Sequence, residues 1–159
     1  LEKGTLDAVE FVGPYDDEKL GFVKVAPYYY YPGFWEGGPA VSLYTNKDEY
    51  EKLPEAYKHI LETASFRATH DMLAIYDYNN AGALRNLIAE GAILREFPRD
   101  ILEAAYKATG ELYKQYSDGN EMFKKLHDDY MGYRDSVAPW FNVLETSYTR
   151  FLAYAINRL

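Results

Sequence analysis

The pattern of apolar and polar positions changes character near residue 45. Before it, the chain is cut by Gly4, Gly13, Gly21, Gly33, Gly37 and Gly38 and by four of its seven prolines. That punctuation predicts short strands and loops. Candidate strands are Ala8–Val12, Phe22–Tyr31 and Ala40–Tyr44. In the second, Phe22, Lys24 and Ala26 fall on one face and Val23, Val25 and Pro27 on the other, which predicts cover on most of its surface. Pro27 and Pro32 bracket four consecutive tyrosines and should keep them out of a regular central ladder.

From Asn46 onward the steps become three and four residues. Lys47–Lys52 reads as a short turn, and Pro54 suits a first helical position. Tyr57, Ile60, Leu61, Ala64, Ala68, Met72, Ile75 and Tyr76 then mark a helix that continues through Leu84, Leu87 and Ile88 to a stop at Gly91. Ala92–Phe97 is a further short strand. Pro98 opens a helix with Asp100 in its first turn and Ile101, Leu102, Ala105, Leu112 and Tyr113 on its apolar side. The polar run Ser117–Asn120 should break it. The last helix carries Phe123, Leu126, Tyr130, Tyr133, Val137, Trp140, Val143, Leu144, Phe151 and Leu152, apolar on several faces, with a kink expected at Pro139.

These lengths conflict with an isolated globule. A helix over Pro54–Glu90 would be ~55 Å long at 1.5 Å per residue. A compact domain of this size has a radius of gyration near ~15 Å. The expectation is that the long helices reach across a second domain or a partner subunit.

Composition narrows the function. Net charge is −8, from 17 Lys plus Arg against 25 Asp plus Glu, which disfavours nucleic-acid and anionic-membrane partners. Without cysteine there is no disulfide, thiol nucleophile or thiolate metal site. The 17 tyrosines suit surfaces half buried and half wet, as in a cleft, a subunit interface or a Tyr-rich core. The opening "LEKGTLDAVEFVGP" reads as mid-domain sequence without signal-peptide character, so a piece of a longer precursor is expected.

Candidate chemistry is sparse. His59 and His70 share a helix face but sit ~16 Å apart, too far to hold one metal. His127 precedes Asp128-Asp129 on a stretch that looks solvated, and all three histidines read as ordinary surface or core residues. Asp16–Glu18 reads as charged surface. No Walker loop, HExxH, GxGxxG or Ser-His-Asp spacing occurs. The distinctive segment is "PGFWEGGP", where Glu36 lies among aromatics between two turns. Gly37-Gly38 there would let the backbone approach something closely. Glu36 either points into water while Phe34 and Trp35 anchor the loop, or it meets a cation or polar ligand; hard cations take carboxylate and carbonyl oxygens. As a general base it would need an acid, nucleophile or metal beside it, and none can be named, so no catalytic residue and no enzyme activity are expected.

"GTLDAVEFVGPYDDEKLGFVKVAPYYYYPGFWEGGP", Asn80–Leu84, "LREFPRDILEAA" at Leu94–Ala105 and the closing Trp140, Glu145 and Tyr148 together resemble the later half of the solute-binding proteins of TRAP (tripartite ATP-independent periplasmic) transporters. The branch is the one that binds 2-oxo acids, lactate and related monocarboxylates. The resemblance covers essentially the whole chain. It implies an α/β fold: a fragment of a two-lobed periplasmic-binding-protein-like receptor, strand and loop over 1–45 and mostly helical after residue 46. It implies an extracytoplasmic, periplasmic location, a small carboxylate ligand and delivery to TRAP membrane subunits. A sodium or calcium ion would bridge ligand and protein, with no organic cofactor. Trp35 and Glu36 match the family's metal-binding pair, through a backbone carbonyl and a carboxylate, and Phe34, Trp35 and Glu36 would line the ligand. The helix at Pro54–Glu90 matches one that spans both lobes, and the C-terminal helix one that is exchanged in a homodimer.

The resemblance also implies that the first lobe, the Arg that pairs with the ligand carboxylate and a Gln that helps hold the metal lie upstream of Leu1. No basic residue adjoins Trp35-Glu36 in sequence, so this piece supplies roughly half a site. The competing expectation is a structural or interaction module that dimerises through its Tyr-rich helices without ligand.

Overall fold

The computed structural model describes residues 1–156. They divide into two compact units, Leu1–Pro98 and the segment from Arg99 onward.

The first unit begins with a helix absent from the sequence expectation, α1 (Pro14–Leu20). Its signals are ordinary: Pro14 in the first turn, Asp16 and Asp17 early, Lys19 late, and Gly21 at the end in the left-handed region with φ 69°. Gly21 also starts a single 3-10 turn, Phe22–Lys24, so the expected strand from Phe22 shrinks to β1 (Tyr28–Tyr31). The tyrosines do pair, but in a two-stranded sheet and not at the centre of a wider one among the described residues. β1 runs parallel to β2 (Ile93–Glu96), pairing Tyr28 with Ile93 and Tyr31 with Glu96. Parallel strands need a crossover, and here it contains α2 (Lys47–Glu51) and α3 (Glu55–Ala89). Asn46 caps α2 by accepting from the Glu49 N–H at 3.1 Å. Pro54 stands one residue ahead of α3, which is unbroken for 35 residues, about 52 Å.

Ala8–Val12 and Ala40–Tyr44 are not strands among the described residues. Both are apolar enough, but neither finds a neighbouring backbone to pair with. Phe11 instead meets the Phe22 ring edge-on at 6.2 Å, and Val41, Leu43 and Tyr44 stay exposed.

α1 is docked on α3 by the Asn-rich segment. Its Tyr15 N–H has no acceptor within its own first turn, and the Asn80 side-chain oxygen accepts it at 2.9 Å. Asn86 donates to Glu18 at 2.8 Å, and the Tyr15 and Tyr76 rings meet edge-on at 6.0 Å. Asn80 thus gives α1 a cap from another element, while the Asn79 side chain donates to the Ile75 carbonyl within α3 at 2.7 Å. The buried apolar residues among those described are Val23, Ala83, Leu87 and Ala92, with Tyr29 packed against the cluster of Val23, Leu87 and Ala92; Leu87 is 1% exposed.

The second unit is helical throughout: α4 (Arg99–Gly119), α5 (Glu121–Phe141), a π-helical turn Asn142–Thr146 and α6 (Ser147–Ile156). The break expected over Ser117–Asn120 narrows to Asn120, whose side chain caps α5 by accepting from Phe123 N–H at 2.9 Å. Pro139 lies inside α5 and removes one ladder donor; the wider π turn follows directly. The expected last helix runs through α5, the π turn and α6, and within α6 the apolar residues gather on one side rather than all round. No described residue of this unit is buried. The solvated reading of His127 is also corrected, since its ring sits 4.9 Å from Tyr113 and 6.0 Å from Phe123. Exposed ion pairs at three- and four-residue spacing, such as Arg67–Asp71 and Arg99–Glu103, decorate the helices and contribute little individually. Among the described residues no helix is long and apolar enough to cross a membrane.

Candidate functional site

The segment "YYYYPGFWEGG" becomes intelligible once the strand register is known. Partnered residues of a parallel pair share a face of the sheet. Tyr28 and Tyr30 therefore lie with Arg95 and Phe97 on one face, while Tyr29 points to the other. On the first face Tyr30 and Phe97 rings meet at 5.1 Å, and the Arg95 guanidinium lies 5.7 Å from the Tyr28 ring centre.

The chain leaves β1 through a cis Tyr31–Pro32 bond and folds back over that face. Phe34 meets Phe97 edge-on at 5.3 Å, Trp35 meets it at 6.2 Å, and Phe34 and Trp35 meet each other at 4.8 Å. At Gly33 a Cβ would stand 3.7 Å from the Trp35 ring and 3.8 Å from the Glu36 carbonyl oxygen, ordinary contact distances, so the loop lies against its own turn there. At Gly37 and Gly38 a Cβ would meet nothing within 4 Å among the described residues. Beyond them the loop borders a groove of about 450 Å³ over the middle of α3, lined by Val41, Thr69, Met72 and Tyr76.

The opposite face of β1 is an anchor. The Tyr29 hydroxyl donates to Asp17 Oδ2 at 2.5 Å, and Asp17 is 7% exposed with its Oδ1 atom unpartnered. This corrects the expectation that Asp16–Glu18 is charged surface. Burial pushes the Asp17 carboxyl above the usual carboxylate range, with Asp16 and Glu10 adding to the rise and the Tyr29 hydrogen bond opposing it. Burial also raises the Tyr29 phenol, and its bond to Asp17 adds to that. β1 is thus pinned to α1 by Tyr29 while Tyr30 faces the loop.

Phe34, Trp35 and Glu36 come together on this loop, all three exposed, with Trp35 at 49%. The Glu36 carboxylate has no hydrogen-bond or ion-pair partner in the described residues, so it is free to meet something outside them. A cation would find here one carboxylate and the neighbouring carbonyls, oxygen donors that suit a hard ion. No group of three His, Cys, Asp or Glu able to hold a metal occurs among the described residues. The fit is therefore to one part of a coordination shell. His59 and His70 are exposed on α3, and His127 lies in the second unit.

Phe97 and Arg95 were not among the expected site residues. Nothing near them in sequence links them to Trp35, and only the pairing of β1 with β2 brings them onto its face. Arg95 has no carboxylate partner among the described residues.

Comparison with known proteins accounts for this architecture. The family model of bacterial extracellular solute-binding protein family 7 matches residues 1–119. A monocarboxylate 2-oxoacid-binding periplasmic protein of Nostoc sp. is 38% identical over 151 residues, 95% of this chain and 42% of that protein. A TRAP transporter solute-binding protein of Bordetella bronchiseptica, a mixed-occupancy dimer with copurified calcium and picolinate in its active site, superposes with a TM-score of 0.90. It is 42% identical and covers 99% of this chain and 47% of its own. A TRAP periplasmic solute-binding protein of Pseudoalteromonas atlantica with bound sodium and pyruvate gives a TM-score of 0.85 at 32% identity, over 94% of this chain and 46% of its own. The chain thus spans just under half the length of these relatives, and its α/β architecture is a fragment of the TRAP periplasmic-binding-protein fold. This chain belongs to bacterial extracellular solute-binding protein family 7.

Proposed function

We propose that this chain is part of a periplasmic TRAP receptor and supplies one wall of a site where a metal ion bridges the protein to a small monocarboxylate such as a 2-oxo acid. Phe34, Trp35 and Glu36 form that wall. Glu36 and the Trp35 main-chain carbonyl offer oxygens to sodium or calcium, and the two aromatic rings limit water around them. The observation that carries this reading is the free Glu36 carboxylate, presented on a ring-clamped loop in a chain so similar to receptors holding calcium with picolinate or sodium with pyruvate. The remaining donors, including a cation for the ligand carboxylate, would come from outside this loop. The protein would bind and release its ligand unchanged and pass it to membrane subunits, without catalysis.

α3 spans the two lobes in this reading, since an unbroken 35-residue helix is longer than one small lobe requires. Trp140, Phe141, Tyr148 and Phe151, all exposed on α5 and α6, would meet a second copy in a homodimer. A ligand-free dimerising module is the weaker alternative, because the similar receptors hold small carboxylates. Isothermal titration of the full-length protein with pyruvate in calcium or sodium tests the reading. Glu36→Ala should weaken binding at least about tenfold, the ~1.4 kcal/mol scale of one good charge-assisted contact. Unchanged affinity would remove Glu36 from the site.

A further inference from the structure

The loop that presents Trp35 and Glu36 has an unusual means of support. Among the described residues, no backbone hydrogen bond and no side-chain hydrogen bond involves residues 32–45. Its first five residues are held by rings alone. Three rings converge on Phe97: Tyr30 from β1 at 5.1 Å, and Phe34 and Trp35 from the loop at 5.3 and 6.2 Å. Phe97 is itself fixed from both sides. Its N–H donates to the Tyr31 carbonyl at 2.8 Å, just past the last rung of the β1–β2 ladder. Pro98 follows and confines the Phe97 backbone to extended conformations. A half-buried, backbone-locked ring is a stiff platform, and edge-to-face contacts with it fix ring angles as well as positions.

We propose that Phe97 is a positioning residue for ligand binding: it holds Trp35, and through it the adjoining Glu36, in the orientation that the cation and carboxylate require. This rests on the proposed role of Trp35 and Glu36. The consequence is that affinity depends on a residue 61 positions away in sequence that touches neither ion nor ligand. Preorganised loops bind better because less freedom is lost on binding.

The test uses the full-length protein labelled with 5-fluorotryptophan, with the Trp35 fluorine resonance assigned by Trp35→Phe. Phe97→Ala should move and narrow that resonance and weaken pyruvate binding in calcium by about tenfold or more, while Phe97→Tyr, which keeps the ring, retains both the signal and the affinity. Should the alanine variant fail to fold, Phe97→Leu removes the ring with less loss of volume and serves in its place. An unmoved Trp35 resonance in the ring-deleted variant overturns the proposal. So does a moved resonance with unchanged affinity, or a loss of affinity that Phe97→Tyr shares. Glu36→Ala is measured alongside: if it leaves affinity intact, the site reading itself fails, and the Trp35 resonance still reports separately whether Phe97 holds the loop.

Discussion

The two units solve the problem of an aromatic-rich chain in opposite ways. In the first, β1 sorts its tyrosines by face: Tyr29 goes inward to Asp17 and the Leu87 core, and Tyr30 goes outward to hold a loop on Phe97. In the second, α4, α5 and α6 carry aromatics at helical spacing, yet no described residue there is buried. Burial in the first unit follows from pairing elements distant in sequence, whereas the second has only successive helices. Side chains such as Trp140 and Tyr148 are left exposed. The first unit thus has a small core of its own, although it too leaves side chains such as Tyr57, Phe66 and Leu73 exposed, whereas the second has none among its described residues.

The comparison breaks most sharply under truncation in the full-length protein. Leu87→Ala should cost about 2–5 kcal/mol in denaturant unfolding, the range for a large side chain lost from a packed core. Leu126→Ala, at an exposed position of α5, should cost less than about 0.5 kcal/mol if that face remains open. A comparable cost at both positions would mean that the second unit's face is covered in the assembled protein, and the contrast would dissolve.

A smaller effect sharpens the account of β1. Tyr29→Phe deletes the hydroxyl that serves Asp17 and leaves a buried carboxyl without a donor, which should cost about 1–3 kcal/mol. Stability near the wild-type value would show that water or another group replaces Tyr29.

The smallest effect is in pH. Because Asp17 titrates higher in the folded protein than in the unfolded chain, the folded state binds more protons between those two values. This group's contribution to stability therefore falls as pH rises through that window and is fully present below the unfolded value. Asp17→Asn should flatten the dependence there when unfolding is followed from mildly acidic to neutral pH, and an unchanged slope would assign the dependence elsewhere.

Local signals made much of the fold readable. The three- and four-residue steps marked α3, and Pro98 marked the start of α4 because a proline there interrupts nothing. Ala92–Phe97 was readable as a strand, being short, apolar and bounded by Gly91 and Pro98. α1 was missed because seven residues carry too little periodicity, though its proline, acidic start and glycine end were present. Ala8–Val12 and Ala40–Tyr44 failed for the opposite reason: strand character needs a partner backbone, which composition cannot supply. The site followed the same division. Phe34, Trp35 and Glu36 stood out through their neighbours and a family resemblance. Phe97 and Arg95 reach the same face only through the register Tyr30 to Arg95, and a linear sequence does not contain a register.

The central claim is that Glu36 couples a cation to a carboxylate, and thermodynamic linkage tests it most directly. Pyruvate affinity of the full-length protein is measured by calorimetry with calcium saturating and with calcium removed, in the wild type and in Glu36→Ala. The account predicts that calcium strengthens pyruvate binding in the wild type by at least about tenfold, a coupling of ~1.4 kcal/mol, and that the coupling largely disappears in Glu36→Ala. Equal coupling in the two proteins would contradict it.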